Sequence, residues 1–235
     1  FGADPVVFTQ TLGLLLFACS LILLWRIGSE SGLGTPAALV AIMLTGTNHT
    51  FSCYATGGLE TPLVTTIFLA GCLVAVRVLS GRSGRERGLL ILSFLCTAGI
   101  LTRMDTAVLF VGPVLAVFVG GPAPAPGPDT GHRILPDIAR IALFPIILAG
   151  CWLAWKYFYY GDLLPRAFYL KAVNASSLER GLRYFYEFIV SYNLAPFLFF
   201  CIFFFGPLFK KENRTQFMMA ATVSLWFVYV LKVGG

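Results

Sequence analysis

The sequence predicts an all-α, polytopic transmembrane helical bundle, and three observations carry that expectation. Hydrophobic residues make up 57% of the 235 residues, charged residues only 12%, and mean hydropathy is +0.81. A soluble domain of this size would have too few charges to solvate its outside. The apolar residues also gather into stretches suited to membrane helices, which need roughly 20 residues each, and about eight can be drawn. They cover residues 6–26, 35–50, 61–79, 89–103, 104–120, 138–158, 193–209 and 216–232.

Each stretch has its own signals. The third opens on Thr61-Pro62, a good helix beginning, directly after Glu60. The second and fourth are short or polar-tipped, so a tilted, broken or partly re-entrant helix fits there. The fifth runs into a Pro/Gly-rich linker over 120–136, whose Pro-Ala-Pro-Ala-Pro-Gly-Pro at 122–128 reads as stiff polyproline rather than helix. Between the sixth and seventh, Leu178, Leu182, Phe185, Ile189 and Tyr192 recur at helical spacing on one face, behind a Ser176/Glu179 capping box. Residues 159–192 therefore read as an extracytoplasmic loop plus an amphipathic interfacial helix. No soluble domain and no internal repeat interrupts this single transmembrane domain. A start at Phe1 and an end directly after an apolar run suggest an internal segment of a longer chain.

Charge sets the orientation. Arg77, Arg82, Arg85 and Arg87 crowd the connection after the third stretch, and Lys210, Lys211 and Arg214 the one after the seventh. The positive-inside rule places both in the cytoplasm, and with them the 120–136 linker. The net charge of +6 is thus read loop by loop, and no basic block with interleaved aromatics points to nucleic acid. Alternation then sends four polar islands to the opposite face: Gly57–Glu60, Thr102–Asp105, Tyr159–Lys171 and Lys232–Gly235. Polar loops need no function, but four on one face can also line one cavity.

Within the islands, Arg166 and Lys171 suit a phosphate, Arg as a fork and Lys as a point charge, although either can merely anchor the chain by snorkelling. Tyr159, Tyr160, Phe168 and Tyr169 around them can stack on sugar faces or form an interfacial belt. Glu60, after two glycines, either complements the dipole of the following helix or accepts hydrogen bonds from sugar hydroxyls. Arg103 and Asp105 suit a local ion pair, and Asp162 suits a turn cap. The six cysteines are scattered and the two histidines, His49 and His132, have no carboxylate or cysteine at ligand spacing, so no metal site is expected. Asn48, Asn174 and Asn213 begin Asn-x-Ser/Thr matches, the last on the predicted cytoplasmic side.

Gly-Gly-Leu-Glu-Thr (57–61), Leu-Thr-Arg-Met-Asp (101–105), Tyr-Tyr-Gly-Asp-Leu-Leu-Pro-Arg-Ala-Phe-Tyr-Leu-Lys (159–171) and Val-Gly-Gly (233–235) occur in that order. The set resembles the bacterial membrane glycosyltransferases of the GT-C class, closest to the terminal β-(1→2)-arabinofuranosyltransferase family of mycobacteria. The resemblance spans about residues 50–235, and its loop usually reads Gly-Asp-x-x-Pro-Asn-x-Phe-Tyr-x-Lys. Asp162, Pro165, Phe168, Tyr169 and Lys171 match, while Arg166 stands where Asn is usual.

The resemblance implies a multi-pass enzyme of the bacterial inner membrane with an extracytoplasmic active face. Its partners would be membrane lipids, a polyprenyl-phosphate sugar as donor and a cell-envelope glycan as acceptor. It implies Lys171, Arg166, Tyr169 and Asp162 at the donor phosphate, and Glu60, Arg103 and Asp105 at the sugar or supporting it. The catalytic carboxylate would lie in a loop upstream of Phe1, leaving this segment inactive by itself. No cofactor is implied, and a divalent metal is neither demanded nor ruled against. A flippase for lipid-linked sugars and a non-catalytic envelope protein of the same fold stand as alternatives.

Overall fold

A computed structural model describes residues 4–120, 134–162, 177–194 and 213–233. Its elements are α1 (Pro5–Glu30), α2 (Thr35–Gly46), α3 (His49–Thr56), α4 (Thr61–Leu79), α5 (Arg85–Thr102), α6 (Thr106–Gly120), α7 (Ile134–Phe144), a π-helical turn (Pro145–Ala149), α8 (Gly150–Tyr160), α9 (Ser177–Ser191) and α10 (Arg214–Val233). The described residues contain no strand, and the fold is all-helical.

Among the described residues, three helices are long and apolar enough to cross a membrane: Pro5–Glu30, Thr61–Leu79 and Leu135–Tyr160. Thr35–Gly46 and Thr106–Phe118 are shorter apolar helices. The stretch expected at 35–50 is broken, because Asn48 caps a new helix: its Oδ1 accepts from the Phe51 amide at 2.8 Å. The start at Thr61 agrees with its proline signal, and Asp4 Oδ1 caps α1 by accepting from Val6 N at 2.9 Å. The helix expected at 193–209 and the 120–136 linker lie largely or wholly outside the described residues.

α4, α5, α6 and α10 surround a core that includes Leu73, Val76, Leu89, Leu92, Phe110 and Met218. Small residues let these helices approach. A Cβ at Gly112 of α6 would collide with Thr222 Oγ1 of α10, and one at Gly13 of α1 with the Ala55 carbonyl of α3. α1 is held to α4 by a polar clasp: Thr66 Oγ1 lies 3.0 Å from Ser20 Oγ and donates to the Leu16 carbonyl at 3.0 Å.

α7 runs parallel to α5, as Arg85–Asp137 and Ser93–Ile141 contacts show. Proline 145 has no N–H to offer the Ile141 carbonyl one turn back. Ser93 Oγ, fully buried on α5, donates to that carbonyl at 2.7 Å instead. The helix then passes through the π turn and continues as α8.

These packings give the bundle two polar ends. One holds Glu30, Arg77, Arg82, Arg85, Glu86, Asp137 and Arg140; the other holds Asp4, α3, Glu60, Arg103, Asp105 and the end of α10. At the first end Arg85 donates from Nε to Asp137 at 2.7 Å and from Nη1 to the Val117 carbonyl at 3.1 Å, joining α5, α6 and α7. Arg140 reaches both Asp137 and Glu86.

Candidate functional site

The second end gathers the residues of two inter-helix connections. Glu60 begins α4, preceded by Gly58 at φ +69°, a left-handed conformation that suits glycine. Its backbone is already helical and its side chain makes no capping bond to α4. Instead it turns to Arg103, which ends α5 with extended backbone, φ −149°. Arg103 Nη1 donates to Glu60 Oε1 at 3.0 Å. Its Nε and Nη2 fork onto Asp105, donating to Oδ1 at 3.1 Å and to Oδ2 at 2.8 Å.

The guanidinium is thus held between two carboxylates, one from each connection. The hydrogen bonds to Asp105 favour its charged form most, so its pKa lies above the ordinary arginine value even though partial burial works the other way. Tyr229 of α10 lies within electrostatic reach of Arg103 and Asp105. Asp105 is the more enclosed carboxylate, with 18% of its side chain exposed against 45% for Glu60. Three of the five guanidinium N–H groups are used, and Glu60 keeps one carboxylate oxygen outside this pair. The trio carries net charge −1 and offers acceptors and two donors to a hydroxyl-rich ligand.

Of the other expected site residues, Asp162 is exposed, just past the left-handed cap Gly161 at φ +74°, and takes no part in the trio. Arg166, Tyr169 and Lys171 lie outside the described residues. The aromatic run before them is ordered into contacts: Trp155 stacks on Tyr159 at 5.4 Å and Tyr159 meets Tyr160 edge-on at 4.7 Å.

A cleft of about 380 Å³ opens at this same end between α3 and α9. Asn48, Thr50, Phe51 and Tyr54 line one side, and Phe188, Tyr192 and Leu194 the other. The Thr50 and Tyr192 hydroxyls hydrogen-bond across it. The aromatic rings and hydroxyls suit a ligand with both apolar faces and polar edges. α9 is strongly amphipathic, in line with the apolar face read from its sequence. Gly181 and Phe185 pack against Leu231 and Phe227 of α10, while Leu178 and Leu182 remain exposed.

No family model matches the chain, and no curated protein or solved structure is significantly similar to it.

The sequence expectation that His49 has no cysteine at ligand spacing is wrong. Cys53 stands one helical turn on, with Sγ 3.7 Å from Nδ1 and 3.6 Å from Nε2. The spacing of four was the signal for it. Among the described residues, no group of three or more His, Cys, Asp and Glu could hold a metal ion. The cleft was also missed, because Asn48 and Thr50 were read as the tip of a span and Phe51 and Tyr54 were given no element.

Proposed function

We propose that the protein is a multi-pass membrane glycosyltransferase of about eight spans, some of them shorter than the ~20 residues of a full crossing. It transfers a sugar, arabinofuranose by the motif resemblance, from a polyprenyl-phosphate donor to an envelope glycan at the extracytoplasmic face of a bacterial inner membrane. The single observation that carries the reading is the trio: Glu60 and Arg103–Asp105, with Glu60 and Arg103 43 residues apart in sequence, meet at one end of the bundle. Two carboxylates held by one arginine suit sugar hydroxyls, and the nearby aromatic cleft suits sugar or isoprenoid surfaces.

In this mechanism the acceptor hydroxyl oxygen attacks the anomeric carbon while the carbon–oxygen bond to phosphate breaks. The proton passes to a carboxylate base, and the electron pair leaves with the polyprenyl phosphate, inverting the anomeric centre. Lys171 and Arg166 stabilise the charge growing on that phosphate. A flippase would place its binding charges near the bilayer midplane. The charged side chains on the three described helices long enough to cross a membrane lie toward the helix ends, which favours the transferase.

The test is donor consumption by the protein in nanodiscs, offered a panel of polyprenyl-phosphate sugars and glycan acceptors, beside Lys171→Ala. Loss of a preorganised cation at the leaving group should lower kcat by about 100-fold. Tight donor binding without turnover by the wild-type protein on any acceptor would refute the transferase, and absence of donor binding would remove the lipid-phosphosugar reading altogether.

A further inference from the structure

We propose that the opposite end of the bundle binds the phosphate of an anionic phospholipid, with Arg26 and Arg82 as its cations. This rests on the membrane reading of the chain and not on glycosyl transfer.

The centre of the cluster is Glu30, the last residue of α1, whose side chain is only 13% exposed. Arg77 of α4 neutralises it, Nε donating to Oε2 at 2.8 Å and Nη2 to Oε1 at 2.7 Å. Arg82 comes no closer than 3.8 Å to Oε2, too far for a hydrogen bond, and Arg26 stands one helical turn before Glu30 on α1. Three arginines therefore converge on one carboxylate that a single arginine already satisfies.

The surplus is displayed rather than buried. The Arg82 side chain is 56% exposed, and Arg26 is exposed on α1. Arg82 sits in the turn Ser80-Gly81-Arg82-Ser83-Gly84, where Gly81 has φ +71° and a Cβ at Gly81 or Gly84 would meet nothing within 4 Å. Small residues around an exposed guanidinium leave room for a head group to reach it. Arginine forks onto two oxygens of a phosphate, and a partner must be anionic to match an uncompensated pair. The supply of such a partner at a helix end of an apolar bundle is the lipid leaflet itself.

The test uses the whole protein in phosphatidylcholine nanodiscs carrying a few per cent of spin-labelled phosphatidylglycerol, or spin-labelled phosphatidylcholine as the reference. Immobilised label reports binding. Wild type should prefer the anionic lipid. Each basic residue at an anionic surface is worth about fivefold, so Arg82→Gln should lose about fivefold and R26Q/R82Q about 25-fold of that preference. Arg183→Gln, which removes an 81%-exposed arginine at the other end, should lose none. Equal losses in Arg183→Gln, or none in the Arg82 variant, would overturn the proposal. Full displacement by soluble glycerol phosphate at matched phosphate concentration would also overturn it, by assigning the site to free phosphate. Melting in pure phosphatidylcholine checks that the variants are folded, and Arg82→Gln, at an exposed turn, supplies the reading without the helix substitution.

Discussion

Ser93→Ala tests whether α5 repairs the helix defect that Pro145 makes in its neighbour. In the native fold Ser93 is fully buried and its Oγ donates at 2.7 Å to the Ile141 carbonyl, the acceptor that a residue-145 amide would serve in an uninterrupted helix. The same oxygen accepts a long bond, 3.4 Å, from Phe144 N. Alanine removes one hydroxyl and little volume, so packing changes contribute little and the carbonyl dominates. An ordinary interhelical hydrogen bond in a membrane averages only about 0.6 kcal/mol, because the separated helices find other partners. Leaving a buried acceptor unsatisfied costs about 1–3 kcal/mol, and here the proline denies it the usual local substitute. Together these set the expected loss at about 1.5 kcal/mol, above the membrane average. The assay is a double-mutant cycle by reversible unfolding in bicelles, with Pro145→Ala as the second substitution. An alanine amide at 145 can serve Ile141, so Ser93→Ala should cost at least about 1 kcal/mol less in that background. Equal cost in both backgrounds would refute the repair, even if Ser93→Ala alone were destabilising.

Two further outcomes follow from the charged groups. Asp137→Asn should destabilise by about 3 kcal/mol in the same unfolding assay. Arg85, only 19% exposed and with a buried Nη2 that already lacks a partner, would then lose its anion. A loss under about 1 kcal/mol would show that water or lipid satisfies Arg85 instead. Glu60→Gln should change stability by less than about 1 kcal/mol, since both partners are close to half exposed, yet weaken binding of a sugar-bearing donor about tenfold. Equal weakening of polyprenyl phosphate without its sugar, measured by native mass spectrometry, would show that Glu60 does not act on the sugar.

What was legible in the sequence divides along a physical line. The helix start at Thr61 and the Arg103–Asp105 pair were readable, because a proline or a two-residue spacing acts locally. A broken helix over 35–50 was readable from its short, polar-tipped run, but the position of the break at Asn48 was not, because averaged hydropathy hides a single capping side chain. The Ser93–Ile141 bond is invisible in either helix alone, since the defect lies in one and its repair in the other. Glu60 joining Arg103 needed alternating helix direction to bring the start of α4 beside the end of α5. That adjacency could be expected as a shared face, but not as a bond. The Cys53–His49 pair was local and still passed over, since the cysteines were judged by their scatter along the chain.

The geometry of Arg103 also narrows what the candidate site can hold. A phosphate takes arginine best through a two-pronged edge, and the Nε–Nη2 edge is already given to Asp105. Nη1 is given to Glu60, and the three groups together are negative, so an incoming phosphate is repelled rather than gathered. Arg103 therefore acts as a tie between two carboxylates whose free oxygens and N–H groups match hydroxyls. A lipid phosphosugar has a neutral polyhydroxyl half and an anionic half. It requires two different surfaces: an acidic, hydrogen-bonding corner and a separate cationic one. In the proposed mechanism the trio supplies the first, and Arg166 and Lys171 supply the second. Had the arginine fork been open, one cluster would have had to serve both halves of the donor. Because it is closed, loss of Glu60 and loss of Lys171 should separate in their effects, the first reading the sugar and the second the phosphate.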